Sequence, residues 1–596
     1  MTISTGQKII GVFITIICLG IIIALVIIQP WNDDDSSQII TTNSPINDQT
    51  TINPSPQPHG PSDFCSEHHK NFLKILSDPK DSPYIDYQEI KNEKWPHYFE
   101  DYQVTGHYLN VTSLYYLTDK ESTASIWRHR VFVYVPDKFD DEISHVAHFF
   151  NRGGENRNSD GEFLTEEQMD MSPSVNRHVR LASFTGTVTI YMYDNPNQPM
   201  YYLEEKARNL KRTEDAVIAY SWRHFIDNPT DYQWILQIPM NKAIINTFNA
   251  VQHFTENSIY EITLQNYVIS GDSKRGWTSW LTAALDQRVI GSLPKVFDLV
   301  RTRETLHGHY RALGGWSFAF NPYYNENLTN HLDDQIFEEL QCFIDPDDWT
   351  YQYQNRNLPI YHTGATGDEF FLVTDINVWL EDYLRTHTNP TPNFWMRYLH
   401  NAEHSQIGHE LFQYSSDISL RIFYLAMAKN NWQNIIPKVT WENSQNQTHG
   451  KIILKTDALE RNSDINLSLS VYATDTNFPT TDRNGVLQDF RLAHLSRAGI
   501  ITPSIILWNR TEIVSQVAIE EIDYKKEWVI TMEKRTENKG FRAFYVDLDF
   551  DMSDFGGKFL DGREASILTI SSLPNIMPRE YGIDDCSQAE CYGNLV

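Results

Sequence analysis

Basic residues are scarce relative to acidic ones in this chain. Lysine and arginine together number 49 against 78 aspartates and glutamates, which leaves a formal net charge of −29 over 596 residues. A surface of that sign repels the phosphate backbone of DNA and RNA. The composition therefore argues against nucleic acid as a partner.

Cysteine is also rare, with five in the whole chain. No Cys-x-x-Cys pair or Cys/His cluster has the spacing of a zinc site, and no metal or cofactor is predicted. In an oxidising compartment the four cysteines that follow the first apolar stretch predict two disulfides, with three possible pairings; buried free thiols are the alternative. These four are Cys65, Cys342, Cys586 and Cys591.

The sequence has no repeat of fixed period, which argues against a solenoid or a propeller. Its composition, 41% hydrophobic and 21% charged, is that of a folded protein. A chain of this length is too long for one core, so two globular domains with appended segments are expected.

A long apolar run lies near the beginning of the chain. Residues 9–28 carry no charge, and a helix of that length spans about 30 Å, one hydrocarbon core. The run is longer than a signal-peptide core and has no small-residue cleavage site, which favours an uncleaved transmembrane signal anchor; cleavage and secretion are the alternative. Lys8 before the run places residues 1–8 in the cytosol and the bulk of the chain in the lumen or outside the cell.

The segment after the anchor agrees with that topology. Residues 29–64 are polar and proline-rich and predict a flexible stalk. Five Asn-x-Ser/Thr sequons follow the apolar run, and about half of them are expected to be glycosylated, because such triplets also arise by chance. Their asparagines are Asn110, Asn327, Asn446, Asn466 and Asn509.

Two folded regions follow the stalk. In 65–441, strand-like and helical patterns alternate, which predicts an α/β domain with a mostly parallel sheet flanked by helices. In 442–580, short strands separated by turns predict an antiparallel β-sandwich, and 581–596 form a tail with two cysteines. Among the strands predicted in the first region are 129–135, 145–151, 179–192, 266–270, 358–362 and 394–399, and among the helices 240–254, 277–285, 373–384 and 407–428.

Ser273 lies between a predicted strand and a predicted helix, in the segment SGDSKRGW. This is the context of a nucleophile elbow, a sharp turn that raises a serine hydroxyl above the edge of the sheet. Gly271 keeps the turn free of a side chain. The common G-x-S-x-G form has a second small residue where this chain has Arg275, followed by Gly276. A glycine-flanked helix N-cap is the alternative interpretation.

Two later loops supply an acid and a base. Asp368 follows the strand 358–362, with Glu369 and Asp375 as competing acids. His404 follows the strand 394–399, with His400 as second choice. The order serine, acid, histidine is that of the α/β-hydrolases.

Several segments resemble the PhoPQ-activated pathogenicity-related proteins, a family that includes the autocrine proliferation repressor group. They are SGDSKRGWTSW, GATGDEFF and HNAEHS, and in the tail ILW at 506–508 and GFRAFYVDLDF at 540–550. The resemblance extends from about residue 65 to about residue 578. It implies an α/β-hydrolase with an added C-terminal β domain, in which KRG is a family variant of the elbow, and it implies no substrate.

Carried over residue by residue, the resemblance implies Ser273 as nucleophile, His404 as its base and Asp368 as the orienting carboxylate. The oxyanion hole would be the backbone N–H of Lys274 and that of Gly154 or Glu155, in the loop after the strand 145–151; a plain turn is the alternative there. The side chains of Lys274 and Arg275 could bind an anionic substrate group, although exposed cations at a helix start are the simpler interpretation.

Residues 305–349 interrupt the α/β alternation with aromatic-rich sequence and an acidic helix. An insertion here would form a cap over the nucleophile; a buried core is the alternative.

The sequence thus predicts a membrane-anchored serine hydrolase that cleaves a small ester or peptide substrate through an acyl-enzyme. The alternative is a secreted or surface signalling protein of the autocrine proliferation repressor type, which would bind a cell-surface receptor without catalysis, since fold does not fix function. The serine, acid and histidine in order favour the hydrolase.

Overall fold

The computed structural model describes most of the chain after residue 59. The predicted anchor, 9–28, and all but the end of the predicted stalk lie outside the described residues. Among the helices that are described, none is long and apolar enough to cross a membrane. The described residues are 60–78, 86–95, 104–165, 168, 175–205, 210–387, 392–406, 410–476, 487–496, 498–504, 506–511, 517–522, 525–534, 540–553, 557–558 and 564–596.

A nine-stranded mixed sheet forms the centre of the α/β region, in the order β1-β2-β3-β5-β4-β6-β7-β8-β9. The first strands pair antiparallel, and all pairings from β5 through β4 to β9 are parallel. The strands are β1 (Asp86–Trp95), β2 (Val104–Tyr115), β3 (Ile126–Pro136), β4 (Val146–Asn151), β5 (Thr189–Met192), β6 (Asn266–Asp272), β7 (Val289–Lys295), β8 (Pro359–Ala365) and β9 (Asn393–Leu399).

Helices connect the parallel strands and cover the sheet. Every residue of β4 and of β8 is buried, as expected for parallel strands covered on both faces. Because parallel strands end at the same edge, the loops after β4, β6, β8 and β9 lie along one side of the sheet. The helices are α1 (Ser66–Ser77), α2 (Val175–Thr185), α3 (Asp215–Asp227), α4 (Gln237–Asn257), α5 (Lys274–Leu285), α6 (Thr302–Leu313), α7 (Asn321–Asn325), α8 (Gln335–Ile344), α9 (Thr350–Asn355), α10 (Ile376–Thr386) and α11 (Glu410–Ala428), with short helices α12 (Trp432–Ile435) and α13 (Ala458–Arg461) after them.

The predicted strand 179–192 is wrong in its first half. Its residues belong to α2, and only the last four form β5. Val179 and Ala182, three positions apart, are buried together in one small core, which is helical and not strand spacing. Gly186 ends the helix with φ +63° and donates its N–H to the Ala182 carbonyl, a conformation that glycine adopts without strain.

Antiparallel sheets follow α12, beginning at Val439. A four-stranded sheet has the order β10-β11-β17-β16, and a second has the order β15-β12-β18-β21, with β22 also on β18. Residues of β11, β17 and β18 share one hydrophobic core, as in a sandwich. The strands are β10 (Val439–Gln445), β11 (His449–Thr456), β12 (Leu467–Asp475), β13 (Ala493–Leu495), β14 (Ile501–Pro503), β15 (Asn509–Thr511), β16 (Val517–Ile522), β17 (Lys525–Glu533), β18 (Arg542–Asp551), β19 (Gly557–Lys558), β20 (Glu564–Ala565), β21 (Ile567–Ser571) and β22 (Asn575–Met577).

Strand β18 joins the two regions. Phe544 and Leu548 face the core shared by the antiparallel sheets, whereas Ala543 and Tyr545 belong to the large core of the α/β region. Both faces of this strand are therefore buried, and the described residues form one compact unit.

The four predicted disulfide cysteines are paired. Cys65, just before α1, is bonded to Cys342 in α8, and Cys586 is bonded to Cys591. The structure thus selects one of the three pairings that the sequence allowed.

Candidate active site

Ser273 lies in the turn between β6 and α5 with φ 56° and ψ −124°, a strained conformation for a residue with a side chain. A Cβ atom at Gly271 would lie 2.4 Å from the Arg275 carbonyl oxygen, and one at Gly276 would lie 2.8 Å from that of Lys295. Both glycines are therefore required sterically. The small residue that the motif lacks at position 275 is needed here at 276, where α5 crosses the end of β7.

The structure brings together the three residues predicted for the triad. His404 Nε2 lies 2.8 Å from Ser273 Oγ, and His404 Nδ1 lies 3.0 Å from both carboxylate oxygens of Asp368. Each comes from a loop at the same edge of the sheet: after β6, after β8 and after β9. Strand context and chain order are those of an α/β-hydrolase.

The competing candidates have other contacts. Glu369 accepts a hydrogen bond from the backbone N–H of His404 at 3.1 Å. Asp375 is buried and accepts from the backbone N–H of Leu372. His400 stacks on Tyr472, with ring centroids 4.3 Å apart. Neither acid has the position of Asp368 at the imidazole.

Asp368 is fixed by the backbone that follows it. Its Oδ1 accepts hydrogen bonds from the N–H groups of Phe370 (2.7 Å) and Phe371 (2.9 Å), and the residue is 2% exposed. The rings of the same two phenylalanines lie 5.3 and 5.5 Å from the His404 imidazole. The carboxylate and the imidazole are thus both held by one short segment.

Two opposing effects act on the pKa of His404. Burial lowers it, and the charge and hydrogen bond of Asp368 raise it, with the net result a pKa above the ordinary value of 6.5. The pair therefore stabilises the imidazolium that would form if His404 accepted the proton of Ser273.

The side chains of Lys274 and Arg275 are neither exposed nor free to bind substrate. Lys274 Nζ lies 2.8 Å from Asp215, and Arg275 binds Glu214 through two nitrogens at 2.5 and 2.9 Å. Their side chains are 12% and 8% exposed. Burial opposes the ionised form of Glu214, but the charge of Arg275 holds the pKa of this carboxyl well below its usual range. Two sequence interpretations of these side chains are therefore wrong: that they bind an anionic substrate group, and that they are exposed cations at a helix start.

The predicted oxyanion donors line one cavity together with Ser273 and His404. Lys274 is the first residue of α5, where backbone N–H groups have no partner within the helix. Asn151, the last residue of β4, pairs with Gly271 in the adjacent strand, which brings the loop with Gly154 and Glu155 beside the elbow. None of the described residues accepts a hydrogen bond from the backbone N–H of Lys274, Gly154 or Glu155.

A cavity of about 730 Å³ opens at Ser273 and His404. Its walls come from the loop after β4, the elbow and the loop after β9. The described lining residues are Arg130, Asn151, Arg152, Gly153, Gly154, Glu155, Leu164, Gln168, Tyr193, Glu214, Asp272, Ser273, Lys274, Arg275, Val296, His404, Ser405 and Gln406.

The candidate cap, 305–349, contributes no residue to this described lining. Its aromatic side chains Trp316, Phe320 and Tyr323 are buried in the main core. The Trp316 indole donates to the Cys591 carbonyl at 2.9 Å, so the segment packs against the C-terminal tail. These aromatic side chains thus have the buried core position of the alternative interpretation, and a cap over the nucleophile stays a prediction.

The sequon asparagines differ in exposure. Asn327, Asn446, Asn466 and Asn509 are exposed, whereas Asn110 is half-buried in β2 between two neighbouring strands. Their glycosylation stays a prediction.

Known proteins similar to this chain include a curated relative and several esterases. The relative, Autocrine proliferation repressor protein A of Dictyostelium discoideum, is 28% identical over 533 residues, covering 88% of this chain and 96% of the relative. Acetyl Xylan Esterase 1 from Thermoanaerobacterium sp. JW/SL YS485 has 14% identity and a TM-score of 0.36, covering 62% of this chain and 95% of that one. Glucuronoyl Esterase from Solibacter usitatus has 12% identity and a TM-score of 0.36, covering 63% and 95%.

The family model of the PhoPQ-activated pathogenicity-related protein matches residues 86–478. The matched segment contains the elbow, the acid loop and the histidine loop, and it spans more than half of the sequence. The chain belongs to the PhoPQ-activated pathogenicity-related protein family.

Proposed function

We propose that this protein is a serine hydrolase that cleaves an ester or amide through an acyl-enzyme. The observation that carries the proposal is the continuous hydrogen-bonded path from Asp368 through His404 to Ser273 Oγ. Three groups from separate loops meet in the order and at the distances that nucleophilic catalysis requires.

In the first half-reaction, His404 Nε2 takes the proton of Ser273 as Oγ attacks the substrate carbonyl. The negative charge that develops on the carbonyl oxygen is stabilised by the backbone N–H of Lys274 and by that of Gly154 or Glu155. His404 then donates its proton to the leaving group, and the acyl group remains on Ser273. Asp368 stays ionised and keeps the proton-bearing Nδ1 of His404 directed toward itself.

In the second half-reaction, water attacks the acyl-enzyme with His404 again as the base. The same oxyanion donors serve both steps, because both pass through a tetrahedral intermediate at the same carbon. The buried ion pairs of Lys274 and Arg275 fix the start of α5, and so the direction of the Lys274 N–H.

The test is labelling of the full-length chain with a fluorophosphonate probe, which phosphonylates activated serines with loss of fluoride. We expect labelling that is abolished in Ser273→Ala and His404→Ala. Ser270→Ala is a matched control. Ser270 lies three residues before Ser273, and its Oγ also lies 3.1 Å from a histidine nitrogen, His148 Nε2. His400→Ala is the control for His404→Ala. Matched esters and amides of one acyl group would then separate esterase from peptidase.

Absence of labelling in folded wild-type protein would contradict the proposal. The surviving interpretation would be a signalling or binding protein that keeps the scaffold, as the name of the Dictyostelium relative suggests. Binding to intact cells would then be measured in place of turnover.

We also propose that the protein is anchored by residues 9–28 with its folded part in the lumen or outside the cell. Two disulfides and four exposed sequon asparagines support this location. A mobility shift on treatment with an N-glycosidase, together with retention in the membrane fraction after alkaline washing, is the expected result. An unglycosylated chain in the cytosolic fraction would contradict it.

A further inference from the structure

The charged side chains that line the Ser273 cavity are almost all neutralised within the protein. Arg130 binds Asp194 at 2.6 Å, and both are buried. Lys274 and Arg275 bind Asp215 and Glu214, as described above. Of the lining acids, Glu155 lies 3.3 Å from Lys211 and Asp272 lies 3.3 Å from Lys295.

Arg152 is the exception among the described lining residues. The residue is exposed, and its Nη1 donates a hydrogen bond to the Tyr191 hydroxyl at 3.0 Å. No described carboxylate lies within ion-pair distance of it. Since a guanidinium has five N–H donors, the contact with the buried Tyr191 holds the side chain and leaves other donors with no partner among the described residues.

The position of Arg152 relative to the nucleophile follows from strand register. Asn151 in β4 pairs with Gly271 in β6. The next residue, Arg152, is therefore level with Asp272, which directly precedes Ser273. Neighbouring strands lie about 4.8 Å apart. The arginine backbone is therefore one strand away from the elbow, immediately before the loop that carries Gly154.

We propose that Arg152 binds a carboxylate of the substrate, so that the natural substrate of the hydrolase is an acidic ester or amide with a carboxylate near the bond that is cleaved. This inference rests on the proposed function and narrows its substrate class. A planar guanidinium with parallel N–H groups matches a carboxylate through two hydrogen bonds. The other cavity cations cannot do this, because acids of the protein already occupy them.

The experiment compares anionic and neutral esters of the same shape on the full-length chain. Mono-4-nitrophenyl adipate has its carboxylate on the acyl side, and its methyl ester is the neutral counterpart. The compound 3-acetoxybenzoate has its carboxylate on the leaving group, and methyl 3-acetoxybenzoate is the neutral counterpart. We expect wild type to prefer the anionic member of one pair. The preferred pair shows whether Arg152 binds a carboxylate on the acyl group or on the leaving group.

Arg152→Gln is expected to lower that preference, measured as the ratio of kcat/KM values, about tenfold and mainly through KM. Arg152→Lys should retain part of it. Lys211→Gln removes the same charge from the neighbourhood without altering Arg152 and controls for the general electrostatic field; the ratio should change little. An unchanged ratio in Arg152→Gln, or an equal loss in Lys211→Gln, would overturn the inference while hydrolysis of the neutral esters upheld the proposed function.

If none of the esters is hydrolysed, probe labelling of Ser273 still decides the proposed function, and binding decides the role of Arg152. Calorimetric titration of adipate and of 3-hydroxybenzoate into Ser273→Ala and into Ser273→Ala/Arg152→Gln then compares affinities. About tenfold weaker binding of one of them in the double variant is expected. Equal affinity, or no binding to either variant, would overturn the inference.

Discussion

At the residue scale, the pKa of His404 governs the pH dependence of the proposed reaction. A general base acts in its neutral form, and Asp368 raises the pKa of His404 above 6.5 in spite of burial. Hydrolysis should therefore rise with pH through an inflection above 6.5 and level off beyond it.

Asp368→Asn should move that inflection to lower pH and reduce kcat roughly 10³- to 10⁴-fold, because the amide no longer favours the productive tautomer of His404. The measurement is a pH profile of kcat/KM for variant and wild type. Glu403→Gln is the matched control: Glu403 is adjacent to His404 but accepts a hydrogen bond from the Ser405 hydroxyl. A profile that Asp368→Asn leaves in place would contradict the assigned role.

Gly276 permits a prediction about the elbow. A Cβ there would lie 2.8 Å from the Lys295 carbonyl oxygen and 3.1 Å from that of Gly271, and backbone cannot move aside as a side chain can. Gly276→Ala should lower the free energy of unfolding by about 1–3 kcal/mol and reduce probe labelling of Ser273. Gly60→Ala, where a Cβ meets nothing within 4 Å, should do neither. Chemical denaturation of all three proteins is the measurement.

At the scale of elements, the two disulfides constrain very different lengths of chain. Cys65–Cys342 closes a separation of 277 residues and ties α1 to α8, whereas Cys586–Cys591 closes a separation of 5. Loop-closure entropy grows with length, which gives about 5.6 kcal/mol for the first and about 2 kcal/mol for the second. The double serine variant of the long link should therefore have the lower Tm. Equal Tm values for the two double variants would show that chain entropy does not set their contributions.

At the scale of the whole molecule, a buried carboxyl lies where the antiparallel sheets meet the α/β region. Asp547 in β18 accepts a hydrogen bond from Ser571 at 2.5 Å, and burial, with the nearby Asp549, raises the pKa of Asp547 to about 7. The native state therefore holds a proton that the unfolded state releases near pH 4. Stability is lost as pH rises from about 4 to about 7 and stays lower above that.

Asp547→Asn removes this cost while keeping an oxygen for Ser571. The variant should match wild type near pH 4 and exceed its free energy of unfolding at pH 8 by a few kcal/mol at most, from a shift of roughly three pKa units. Asp551→Asn is the control, since Asp551 lies on the same strand and also accepts from a serine, Ser566. Denaturant titrations at both pH values are the test; a pH-independent difference would contradict it.

The segments that sequence analysis located are those whose signal is local. Ser273, Asp368 and His404 each follow a recognisable apolar strand, so the parallel sheet brings them to one edge once the strands are in place. The family model match and the two disulfides agree with what the sequence predicted. The error at 179–192 arose because the apolar residues of α2 are separated from those of β5 by a single short turn, so the two patterns run together.

Contacts between distant parts of the chain were beyond the sequence. The acids that form ion pairs with Lys274 and Arg275 are Asp215 and Glu214, about 60 residues earlier in the chain. No local sequence pattern relates them to the elbow. The same holds for Trp316, which packs against the C-terminal tail, and for Arg152, which has no ion-pair partner among the described residues. The sequence by itself determined the order of strands, helices and reactive residues, because that order depends on local periodicity. Only the tertiary structure decided which charged side chains pair with one another, because pairing depends on distances between residues far apart in the chain.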